Sequence, residues 1–191
     1  MNRRQFIACV FASLALTWAA TAFALSPEMA AQRSRLELQE PPQKAATVVP
    51  LLKQMQSLPA IDGRREMKEV TLVGQIGGMP NPWKETHPDF PWYKNQATFF
   101  LLDTKLASQF AHHAKHHGGS HDCAFCQNLA AKNAHAVAVV NLVDEDGKIL
   151  KADARDLMGL QEKQTVVVRG RAELLGGQML VIHADGIHVR R

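Results

Sequence analysis

The stretch from Thr165 to Leu174 constrains the fold more tightly than any other part of the chain. It alternates with a period of two: Val166, Val168, Gly170, Ala172 and Leu174 fall on one face, and Val167, Arg169, Arg171 and Glu173 on the other. Successive side chains of extended backbone point to opposite sides, so this pattern is that of a half-buried strand. Gly176-Gly177 supplies a tight turn, and Gln178 to His183 returns as the partner strand. Asp185-Gly186 marks a bend or bulge before Ile187 to Val189.

Three further strands precede this hairpin. Glu69 to Ile76 ends at Gly77-Gly78, Ala97 to Asp103 is an apolar run of strand length, and Ala136 to Val143 is closed by the turn Asp144-Glu145-Asp146-Gly147. Asp153 to Leu160 reads as a short helix with an aspartate cap and a glycine near its end. Five strands in this order, with a short helix between the third and fourth, resemble an OB-fold. The resemblance spans Lys68 to Arg191 and rests on strand order, on the helix position and on the stretch Asp153 to Gly170, which closes on Arg169-Gly170. It implies a mainly β domain, a five-stranded Greek-key barrel with the helix plugging one end. A small β-sandwich or another small barrel gives a similar pattern, and the fold alone fixes no function.

Upstream, the chain is organised differently. Residues 1–24 read as a signal peptide: Arg3-Arg4 gives a positive end, Ile7 to Ala20 is apolar, and Ala22-Phe23-Ala24 is a small-x-small cleavage site, so the mature chain is expected to begin near Leu25. Arg3-Arg4-Gln5-Phe6-Ile7 also resembles a twin-arginine leader, although Asn2 and Ala8 depart from its usual pattern. An uncleaved anchor is the alternative. Cys9 lies inside this segment. Residues 25–67, punctuated by Pro27, Pro41, Pro42, Pro50 and Pro59, read as a tether or partly ordered arm with one short helix from Pro50 to Leu58. The expected location is the periplasm or another exported compartment. Without Arg3 and Arg4 the formal charge of +4 falls to a surplus of two, too small to suggest a nucleic-acid or membrane-surface protein.

Two inserts interrupt the barrel pattern, at 79–95 and 104–134. The first combines Pro80, Pro82, Pro88 and Pro91 with Trp83, His87, Phe90, Trp92 and Tyr93. It reads as a loop whose aromatics cap the open end of the barrel, or as a lid over a protein or small envelope ligand. The second carries the chemistry. His112, His113, His116, His117, His121, Cys123 and Cys126 fall within fifteen residues. C-x-x-C spacing lets two thiolates bind one ion through a tight turn. Leu106, Phe110, His113 and His117 share one helical stripe, and His112 and His116 lie beside it; either His pair has the i, i+4 spacing that lets two imidazoles meet one ion. Gly118-Gly119 ends the helix and turns the chain back.

The preferred ligand set is therefore Cys123, Cys126, His113 and His117, with His121 in reserve and His112/His116 third. Two sulfurs and two imidazoles suit structural zinc; copper, as Cu(I), remains open. Asp122 is placed to orient a ligand imidazole. Two other readings stand beside this one. In an oxidising compartment a C-x-x-C pair is also a disulfide or redox pair. The cluster is otherwise incidental. A c-type haem is disfavoured because Gln127 stands where that motif needs histidine. His87, His135, His183 and His188 read as ordinary surface or strand residues. No nucleophile elbow, phosphate loop or paired catalytic carboxylates emerge, so a non-catalytic metal-bound module is expected. The alternatives are a metal-handling protein, or a thiol redox protein using Cys123 and Cys126. A zinc hydrolase with an open coordination position is a further possibility. Single-stranded nucleic-acid binding is disfavoured, since Phe99 and Phe100 are the only aromatics on the expected strands.

Overall fold

The structure is a computed structural model describing residues 26–61, 64–116 and 123–190; the segment read as a leader lies outside them. Five strands, β1 (Arg65–Ile76), β2 (Thr98–Leu102), β3 (Val137–Leu142), β4 (Thr165–Leu175) and β5 (Met179–Val189), close into a barrel in the order β1-β2-β3-β5-β4. All neighbours are antiparallel except β3 and β5. The barrel is thus closed, five-stranded and mixed, and compatible with an OB-like one. The seam between β1 and β2 is short, pairing Gln75 with Leu102 and Ile76 with Leu101, and an isolated bridge from Ala46 to Leu72 extends it.

The alternation of β4 does what its pattern requires. Val166, Val168, Ala172 and Leu174 point into the barrel, where they meet Leu72, Ile76, Phe99, Leu101, Val140, Leu180 and Ile182. Asp185 is the extra residue opposite Arg169 and Gly170, so the expected bulge lies inside one continuous β5. Gly170 is the close-approach point: a Cβ built there would overlap the His183 carbonyl oxygen and the Ala184 backbone, so the neighbouring strand would have to shift. Gly170→Ala is therefore expected to cost about 2 kcal/mol, as overpacking does in a closed core, measurable as a lower midpoint in urea with an unchanged slope.

Helices close both ends. Between β3 and β4 lies α5 (Ala154–Met158), capped by the Asp153 carboxylate on the Arg155 N–H and stopped by Gly159 at φ 67°. Its Ala154, Leu157 and Met158 plug one end. Arg155 closes an ion pair with Asp153 at 2.6 Å, and this partner holds the Asp153 carboxyl below its ordinary value. The guanidinium also lies over the Trp92 ring.

The stretch 25–67 differs from its reading as a tether. Between Ser26 and Ile61 the chain forms α1 (Pro27–Leu36) and α2 (Val48–Ser57), both packed on the barrel. The prolines do not oppose this: Pro27 and Pro50 sit in first turns, where backbone N–H groups have no helical partner to lose. The α2 stripe Val48, Leu51, Leu52 and Met55 is buried and seals the other barrel end, where Gln56 donates to the Gly177 carbonyl. Residues beyond α1 pair with β5 through Leu38 N–H to Ile187 O. The short helix expected from Pro50 to Leu58 is thus α2, which starts two residues earlier at Val48, whereas α1 was not expected.

Candidate metal centre

A second, smaller apolar cluster lies on the outside of β2 and β3. Phe100 and Leu102 of β2 point outward, opposite to Phe99 and Leu101, and all five residues of β2 are buried. The 79–95 insert covers this outer face. Trp83 and Tyr93 stack on the Phe100 ring at 5.4 and 5.5 Å, and Phe90 and His87 pack beside them. The expectation that these aromatics cap the barrel's open end holds only for Trp92, which packs against Phe99. His87 is a packing residue, with its Nε2 3.4 Å from the Tyr93 hydroxyl.

The remainder of that outer face is covered by two helices of the second insert, α3 (Thr104–His116) and α4 (Ala124–Lys132). Asp103, itself buried, starts α3 by accepting from the Lys105 N–H at 3.0 Å. Its other carboxylate oxygen accepts from the Val49 N–H, also at 3.0 Å, in the first turn of α2, whose own N-cap Thr47 makes no side-chain cap. One carboxylate therefore serves two helix N-termini, where anions are favoured. Leu106, Ala107 and Phe110 of α3 pack on the β2 face, and His113 continues that stripe past the edge of the cluster, half-buried.

Cys123 is the N-cap of α4. Its sulfur accepts from the Cys126 N–H at 3.3 Å. Cys126, one turn on, faces inward with Ala130 and is 1% exposed. The ligand atoms of His113, Cys123 and Cys126 all lie within 4.8 Å of one another, so the three can hold one metal ion. They form the only such His/Cys/acid group among the described residues. The Cys126 backbone N–H at the start of α4 lowers the Cys123 thiol below its ordinary value, whereas burial, with Cys123 alongside, raises Cys126. No disulfide joins the two cysteines. Phe125, between them and 58% exposed, lays its ring against His113 at 4.5 Å.

Of the residues singled out in the sequence, the structure brings together His113, Cys123 and Cys126 and leaves His112, on the exposed side of α3, out of the group. His116 ends α3, but its side chain is not described. His117, His121 and Asp122 lie outside the described residues, as does Gly118-Gly119. His183 lies 3.4 Å from Glu173, and His188 meets the Leu38 carbonyl; neither joins the group. Sequence reasoning missed α4, the Asp103 double cap and Phe125. The first two had signals: Cys126, Leu129 and Ala130 are spaced i, i+3, i+4, and Asp103 precedes the apolar stripe of α3 at a capping distance.

The fold and the group together describe a closed mixed β-barrel carrying a helical pair with two thiols and an imidazole at its tip. Known protein families, curated proteins and solved structures give no significant match to the chain.

Proposed function

We propose that this chain is a non-catalytic binding module of the bacterial envelope, an OB-type barrel whose α3–α4 pair is fastened by one metal ion. The carrying observation is the convergence of His113, from the end of α3, with Cys123 and Cys126, from the start of α4, within 4.8 Å. An ion there ties two helices that share no strand and only a small apolar cluster. Zinc fits this set best, because two thiolates and an imidazole are its usual structural donors, with a fourth ligand completing the tetrahedron. His117 or His121 is our choice for that ligand. Cu(I) accepts the same sulfur-rich set and is the second candidate ion. The strand order and the helix between the third and fourth strands support the OB assignment. The leader Met1 to Ala24 supports export. Phe99 and Phe100, 0% and 1% exposed, are not available to stack on nucleic-acid bases.

A thiol redox protein is the second reading, favoured by the unequal cysteines: a half-exposed Cys123 with a lowered pKa beside a buried Cys126 with a raised one. Elemental analysis of chain purified under reducing conditions separates the two. One equivalent of zinc or copper is expected, lost in both Cys123→Ser and His113→Ala. Wild-type chain free of metal, with a dithiol whose reactivity persists in His113→Ala, would support the redox reading instead.

A further inference from the structure

The two readings of the Cys123–Cys126 pair need not compete. We propose that retention of the ion is conditional on thiol oxidation state: an external disulfide converts Cys123 and Cys126 to an intramolecular disulfide and the ion leaves. The inference rests on the metal reading given above.

The argument is one of access and reach. Cys126 lies beneath α4 at 1% exposure, so no external molecule reaches it first. Cys123, at the helix start, is half-exposed, and its sulfur already lies over the turn, 3.3 Å from the Cys126 nitrogen. The two sulfurs are within 4.8 Å of one another, close enough that side-chain rotation within the first turn brings them to bonding distance. The Cys123 thiolate attacks one sulfur of the external disulfide, forming a mixed disulfide and expelling one external thiolate. The Cys126 thiolate then attacks the Cys123 sulfur and expels nothing but the second external thiolate. Two electrons pass from the protein sulfurs to the external disulfide, whose two thiolates take protons from water. A disulfide sulfur carries no charge and is a poor donor, so the ion is left with imidazole alone and passes to solvent. A dithiol reductant reverses the exchange and restores the site.

The test uses full-length chain, reduced and loaded with zinc, treated with excess glutathione disulfide. A chromogenic zinc indicator reads release, and mass spectrometry after acid quench reads the thiols. The expected result is release of the bound zinc in step with formation of the Cys123–Cys126 disulfide, and reuptake after dithiothreitol. Cys126→Ser is expected to trap one glutathione on Cys123, and Cys123→Ser to take up none at Cys126. Wild-type chain stripped of zinc beforehand is expected to form the same internal disulfide, which separates the thiol chemistry from metal binding. Zinc that stays bound in excess disulfide, or that leaves with no internal disulfide formed, overturns the gate and leaves the metal reading standing. Reduced chain that takes up neither zinc nor Cu(I) overturns the metal reading and the gate together.

Discussion

Stripping the ion from loaded protein with a strong chelator is expected to lower stability by about 4 kcal/mol, the linkage value for a ligand at roughly a thousand times its dissociation constant. For a chain of this size that corresponds to a fall in Tm of about 8–16 °C. The loss should be unevenly distributed. Amide exchange is expected to accelerate most in α4 and the second half of α3, because the donor atoms come from those segments and their apolar contact with the barrel is confined to a few residues such as Phe110, Cys126 and Ala130. The barrel strands keep their own core and should exchange last. Cys126→Ser should reproduce the chelated state and respond no further to chelator. Equal Tm values with and without chelator in the loaded wild-type chain would show that no structural ion is present.

Replacing Asp103 by alanine should cost about 2–4 kcal/mol. Each lost helix cap is worth about 0.5–2 kcal/mol, and this carboxylate caps two helices from a buried position. Asn is the informative control. Its side-chain oxygen can accept one of the two N–H groups, so Asp103→Asn should recover part of the loss. Urea unfolding measures both. Because α3 delivers His113, Asp103→Ala should also weaken metal uptake, although its side chain lies at the opposite end of that helix. An alanine variant as stable as wild type would mean that neither cap contributes.

The barrel was legible in the sequence because its strands have contrasting faces or strong turns. Thr165 to Leu174 declares inside and outside residue by residue, and Gly176-Gly177 and Asp144 to Gly147 punctuate the chain. The β2 strand was legible for a different reason: Thr98 to Leu102 is apolar on both faces, which gives a strand without saying what its second face meets. That information resides in residues far away in sequence, in the 79–95 loop and in α3. Of the helices before β1, α2 was legible from its apolar stripe, whereas α1, which buries Leu36 alone, carries no comparable pattern. The site was legible as a ligand inventory. So was the preference for His113 over its neighbour His112, because Leu106, Phe110 and His113 share the stripe by which α3 faces β2.

The burial of β2 on both sides makes that strand a partition between two apolar compartments. Phe99 and Phe100 are neighbours in the chain but belong to separate volumes, one filled by barrel side chains and the other by the loop aromatics and the helix that holds Cys126. A change of size at position 99 perturbs closure of the barrel, whereas the same change at position 100 is transmitted sideways toward the sulfurs. Two adjacent substitutions of identical chemistry would then report on different halves of the molecule, and comparing them would measure how independently those halves behave.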